Sequence, residues 1–242
     1  MKKAIIIAAI LVAVSVTSTV LVLRGWPGSL TGSGNLETEE YAFTDFTEVE
    51  ISSAFEFDIK QSDSCSINIT ADDNVMDYVQ VLKDGQTLKI GLKRVIWLGP
   101  VTLRASVTLP QLQGLTVSGA SRGTISDFSS SEDLDIMVSG ASRVTGEITA
   151  GDVEFDISGA STIQLEGYAN DIVADVSGAS SFNLDDFLVS NADVDFSGAS
   201  SGTINLNGRL DADLSGASRL WYIGEPTMGT IDTSGASTIS KK

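Results

Sequence analysis

Five aspartates, Asp156, Asp175, Asp195, Asp213 and Asp232, each stand two residues ahead of a Ser-Gly-Ala-Ser tetrapeptide. A second acidic set, Asp135, Glu154, Asp193 and Asp211, stands four residues ahead of the same tetrapeptide. If the tetrapeptides stack, each set becomes a column of carboxylates, whose neighbouring oxygens are the hard ligands that Ca2+ takes. The alternative is a solvated face whose charge stops sheets from pairing with one another. No other cofactor is expected. With no histidine and a single cysteine, Ser-His-Asp triads and histidine-based metal sites are absent. Gly32-Ser33-Gly34 lacks the lysine and the following helix of a phosphate loop. Carboxylate catalysis on an elongated β fold, as in pectin-degrading enzymes, needs a cleft built from long loops. Units of nearly uniform length leave no room for one, so the chain is expected to be non-enzymatic, with no catalytic residues. The arginines Arg122, Arg143, Arg209 and Arg219 are read as local charge partners.

The elements that must position these carboxylates follow from the repeat itself. Ser-Gly-Ala-Ser begins at Ser118, Ser139, Ser158, Ser177, Ser197, Ser215 and Ser234, at spacings of 21, 19, 19, 20, 18 and 19 residues. So short a unit cannot bury its own apolar face and must stack on its neighbours as a solenoid. Aligned on the first serine, the third residue before it reads Leu115, Ile136, Phe155, Ala174, Val194, Ala212, Ile231, and the residue just before it reads Val117, Val138, Ile157, Val176, Phe196, Leu214, Thr233. Both columns point inward. The column between them, with the five aspartates, must then point to solvent, because side chains alternate along a strand. After the tetrapeptide the apolar column resumes with Val144, Ile163, Phe182, Leu220 and Ile239. Glycine supplies the backbone freedom of a corner, and alanine and serine are small enough for corners to stack about 4.8 Å apart. Residues such as Ala179 are therefore read as tightly stacked, and the serines as hydroxyl ladders. Parallel coils of about 18–21 residues make an all-β, single-stranded parallel β-helix, and parallel crossovers are right-handed.

Residues 37–117 are a less regular start to the same body, and residues 118–242 its regular coils. Strands are expected at Glu48 to Ile51, Phe55 to Ile59, Ser66 to Thr70, Tyr78 to Leu82, Thr87 to Leu92 and Leu103 to Leu109, with turns at Ala71 to Asn74 and Asp84-Gly85. Trp97 to Pro100 breaks the pattern as a loop, and no helical pattern appears beyond residue 24. Cys65 alternates with Ile67 and Ile69, which reads as a small core side chain. A lone cysteine forms no intramolecular disulfide.

Lys2 and Lys3 precede an apolar run from Ala4 to Leu23, which is long enough to cross a bilayer. The positive-inside rule leaves the two lysines in the cytoplasm and exports the rest. Residues 1–24 are thus a transmembrane anchor or, with Val16-Thr17-Ser18 as a cleavage site, a signal helix; residues 25–36 form a Gly/Ser/Pro linker. Of the 47 charged side chains, 15 are basic and 32 acidic, and all the acidic ones lie beyond the leader. A body so acidic repels nucleic acid and anionic lipid headgroups, so membrane contact is expected through the N-terminal segment alone.

Several further segments resemble one family of exported bacterial and archaeal proteins, called putative auto-transporter adhesin, head GIN domain. They are FTDFTEVEIS at Phe43 to Ser52, FEFDIKQ at Phe55 to Gln61, the acidic turn Ala71-Asp72-Asp73-Asn74, LPQLQGL at Leu109 to Leu115, and the Ser-Gly-Ala-Ser repeats. The resemblance implies a right-handed β-helix in a surface or periplasmic protein and brings no catalytic residues.

The expected function is a non-enzymatic, extracytoplasmic surface-binding or adhesion module that meets an envelope component or polysaccharide. Two alternatives stand beside it. One is an envelope scaffold, a homo-oligomer joined through the ends of its coils, where Lys241 and Lys242 guard the last edge. The other is an envelope-stress or signalling ectodomain.

Overall fold

The computed structural model describes residues 29–93 and 98–242. The apolar leader and Trp97 lie outside the described residues, and among the described residues no helix is long and apolar enough to cross a membrane.

The chain folds as a parallel β-solenoid with two main faces. The first face stacks β2 (Glu48–Ile51), β8 (Gly114–Val117), β10 (Leu134–Val138) and β12 (Val153–Ile157). It continues through the second halves of β13 (Thr162–Val176) and β14 (Ser181–Phe196) to β16 (Arg209–Leu214) and β18 (Thr227–Thr233), all parallel. The second face stacks β3 (Glu56–Gln61), β9 (Arg122–Ser129), β11 (Arg143–Thr149), the first halves of β13 and β14, β15 (Ser201–Leu206), β17 (Arg219–Ile223) and β19 (Thr238–Lys241). Each Ser-Gly-Ala-Ser is the corner between the faces. Strands on the second face bend at bulges, with register shifts such as that between Gln164 and Glu166.

The parallel order ends on the N-terminal side. Here β7 (Leu103–Leu109) pairs parallel with β3, but β4 (Ser66–Asp72) and then β1 (Leu36–Tyr41) add antiparallel. On the first face β6 (Thr87–Leu92) is parallel to β2, and β5 (Val79–Asp84) closes an antiparallel hairpin with it. Three of the six expected strands, β2, β6 and β7, have the expected bounds. The expectation of no helix is corrected at one turn, α1 (Asp73–Met76), whose Val75 and Met76 are buried. Four residues are too few to show a helical period in sequence. Asp72, 3% exposed, accepts the backbone N–H groups of Gly34 at 2.8 Å and Thr102 at 2.7 Å, so it ties the segment before β1 to the loop before β7.

Inside, the two apolar columns of the first face meet the column of the second. Phe182 packs edge-on against Phe155 and Phe196, at centroid distances of 4.9 and 6.2 Å. Fully burying side chains of this size contributes about 1.5–3 kcal/mol each. Cys65 is only partly buried, packed against this core.

The corners differ from expectation in two respects. Their glycines all have positive φ, from 67° at Gly119 to 78° at Gly140 and Gly159, and from Ala160 onward each alanine N–H donates to the glycine carbonyl one coil below, as from Ala179 to Gly159 at 2.7 Å. Ala179 is exposed rather than tightly stacked. Tightness belongs to the glycine, since a Cβ on Gly178 would overlap the Gly159 carbonyl. The final serine is the buried member, and its hydroxyl mostly bonds within its own corner, as Ser180 Oγ does to the Ser177 carbonyl at 2.8 Å. A direct hydroxyl step between coils joins Ser200 and Ser218 at 3.2 Å. The expected hydroxyl ladder is thus replaced by a ladder of backbone bonds.

Candidate functional site: two unlike faces

On the first face the pairing register places Thr116, Met137, Asp156, Asp175, Asp195, Asp213 and Asp232 in one outward column. The five aspartates therefore do come together as consecutive rungs. The neighbouring column runs Asp135, Glu154, Val173, Asp193, Asp211, interrupted by the exposed Val173. Desolvation, together with the like charges of Asp175 and Asp213 on either side, pushes the Asp195 carboxyl above the usual range. At the edge of the face, Arg209 binds Asp211 at 2.5 Å and holds its carboxyl down at about 2, helped by the Thr230 N–H. Among the described residues no three His, Cys, Asp or Glu side chains converge in a way that would hold a metal ion. Ca2+ takes six to eight oxygens, and parallel side chains on a flat sheet do not close around an ion.

A further set of side chains, three aspartates and an asparagine, serves the backbone. Asp133, Asp152, Asp171 and Asn191 sit six residues ahead of successive tetrapeptides at the opposite corner. Each Oδ1 accepts the N–H of the residue one coil on: Asp152 at 2.9 Å, Asp171 at 3.2 Å, Asn191 at 3.2 Å and Arg209 at 2.8 Å. These bonds satisfy donors that a turning strand leaves unpaired. Sequence reading missed this ladder, although the sixth-residue spacing was its signal.

The second face is chemically different. One outward column reads Thr124, Thr145, Gln164, Asn183, Thr203, Trp221, and the other reads Arg122, Arg143, Thr162, Ser181, Ser201, Arg219. Its middle six residues, Thr162, Gln164, Ser181, Asn183, Ser201 and Thr203, carry no charge. The reading of the arginines as local charge partners holds for Arg122, paired with Glu56, and for Arg209. The two guanidinium groups of Arg122 and Arg104 hold the Glu56 carboxyl below its ordinary value. Arg143 and Arg219 make no ion pair among the described residues, which corrects that reading for these two. Lys241 is paired with Glu225 and Lys242 with Asp185.

The family model described as "Putative auto-transporter adhesin, head GIN domain" matches residues 45–226. The chain belongs to this family. Solved structures share the fold of this head GIN domain. A protein described as a putative adhesin from Bacteroides fragilis is 21% identical with a TM-score of 0.83, over 88% of this chain and all of that one. A putative lipid binding protein from Parabacteroides distasonis is 22% identical with a TM-score of 0.72, over 88% and 99%. A putative adhesin from Parabacteroides merdae is 19% identical with a TM-score of 0.64, over 89% and 99%. At these identities the likeness establishes a common fold. Among curated proteins none matches significantly.

Proposed function

We propose that this head GIN domain protein is a non-enzymatic surface-binding module, a right-handed β-helix held outside the cytoplasm by its N-terminal anchor or signal segment. The observation that carries the reading is the pair of long, flat, stacked faces with different chemistry, one a carboxylate ladder and the other a grid of hydroxyl and amide groups. Flat repetitive surfaces suit an extended polymer better than a small substrate, which needs a concave site. Membership in an adhesin-type family agrees with a place at the cell surface.

The test is cosedimentation of the full-length protein with insoluble bacterial envelope fragments. The protein should move to the pellet without releasing soluble sugar. Protein that stays in the supernatant overturns the binding reading, and released sugar overturns the non-enzymatic one.

Self-association through the last coil is the second reading. It is supported by β18 and β19, which among the described residues pair on one side only, with β16 and β17. A monomer by light scattering at high concentration would end it.

A further inference from the structure

The second face holds a polar cluster around Thr203 that the corner ladders do not use, although Asn183 Oδ1 accepts the Asp185 backbone N–H at 3.1 Å. Thr203 lies in β15 between the inward residues Gly202 and Ile204, so its side chain points outward, yet it is only 9% exposed. Its hydroxyl has no hydrogen-bond partner among the described residues. In register beside it stand Asn183 on one strand and Trp221 on the other, each about 4.8 Å away along the stack. Two residues past Asn183, Asp185 receives Lys242 on one carboxylate oxygen at 2.6 Å, while its Oδ1 is buried with no partner. A buried polar atom without a partner is costly, so the unmet Asp185 acceptor, on the same face as the unpaired but still accessible Thr203 hydroxyl, marks a place where another molecule's hydroxyls fit.

We propose that Asn183, Asp185, Thr203 and Trp221 bind a sugar ring of a neutral glycan chain laid along the second face. The proposal deepens the surface-binding reading and rests on it. Each part supplies what a sugar needs. The Asp185 carboxylate accepts a hydrogen bond from a hydroxyl, the Asn183 amide nitrogen donates, the Thr203 hydroxyl both donates and accepts, and the Trp221 indole offers an apolar plane for the ring's C–H face. Charge selects the occupant. The uncharged rungs of Thr162, Gln164, Ser181 and Ser201 extend the grid across the coils, and a protein of net charge −17 disfavours an anionic polymer.

The test uses full-length protein and isothermal titration with cellohexaose, chitohexaose and mannohexaose, with a galacturonic acid hexamer as the anionic arm. At least one neutral hexasaccharide should bind saturably. Thr203→Val, which keeps the shape and removes the hydroxyl, and Trp221→Ala should each weaken association at least tenfold, whereas Asp175→Asn on the other face should leave it unchanged. Circular dichroism identical to that of the unsubstituted protein keeps the comparison about binding and not folding. The site is refuted by no binding of any neutral hexamer, by preference for the anionic one, or by binding indifferent to both second-face substitutions. Protein that pellets with envelope fragments yet fails this titration keeps the surface-binding reading and loses this site.

Discussion

Gly202 lies beneath the ring of Phe196: a Cβ at residue 202 would stand 2.6 Å from the ring's Cζ. Gly202 occupies the inward column that Phe182 fills one coil earlier, so a large residue on one face is matched by the missing side chain on the other. Gly202→Ala should therefore destabilise the fold by about 1–3 kcal/mol, the usual cost of overpacking. Urea unfolding measures it, and combining it with Phe196→Leu should recover part of the loss. Equal midpoints for Gly202→Ala and the unsubstituted protein would show that the ring moves aside freely.

The corners give a contrast between neighbours in sequence. Gly178→Ala places a Cβ on a residue with φ of 76° and against the Gly159 carbonyl, so it should cost about 1–2 kcal/mol for backbone conformation alone, before the overlap is counted. Ala179→Leu, one residue on, falls on an exposed residue and should change stability by about 0.5 kcal/mol or less. Thermal unfolding of the two variants side by side checks the assignment. A larger loss for Ala179→Leu would mean that the alanine is the packed residue after all.

These two pairs also mark how far sequence carries. Columns such as Phe155, Ala174 and Val194 are legible because burial on a strand repeats every second residue and the tetrapeptide fixes the phase. Which residue of the corner is tight is not legible, because glycine, alanine and serine are all small and only the backbone path tells inside from outside. The same holds for β1 and β4. Their alternation marks strands, but antiparallel pairing arises from where the intervening chain runs. Thr203 was invisible because an outward threonine reads as a solvated one until its neighbours cover it.

The aspartate column should respond to acid in a defined direction. The Asp195 carboxyl is raised in the fold above its unfolded value, so the folded state binds the proton more tightly. Its contribution to stability is fully present below the unfolded pKa of about 3.9 and is lost as pH rises through the folded value. Asp211 has the opposite sign: it is lowered to about 2, and its contribution is present above the unfolded pKa and lost as pH falls toward 2. Asp195→Asn should raise the melting temperature at pH 7 and remove the part of the pH dependence that sets in above the unfolded pKa of about 3.9. A lower melting temperature at pH 7 would show that the charge is compensated.

Neighbouring carboxylates about 4.8 Å apart repel by about 0.9 kcal/mol per pair at the dielectric of water, before salt screening. Sodium chloride should therefore stabilise the fold modestly. Calcium chloride at matched ionic strength should do no more, because the column does not close around an ion. A calcium-specific gain that disappears in Asp175→Asn with Asp195→Asn would establish a chelating column.

The claim that binding belongs to the second face is tested most directly by hydroxyl-radical footprinting of the full-length protein with and without envelope polysaccharide. Trp221 reports on the second face and Met137, 51% exposed, on the acidic face. The account predicts that oxidation of Trp221 falls severalfold when polysaccharide is added while oxidation of Met137 stays constant. Protection of Met137 with Trp221 unchanged would contradict it.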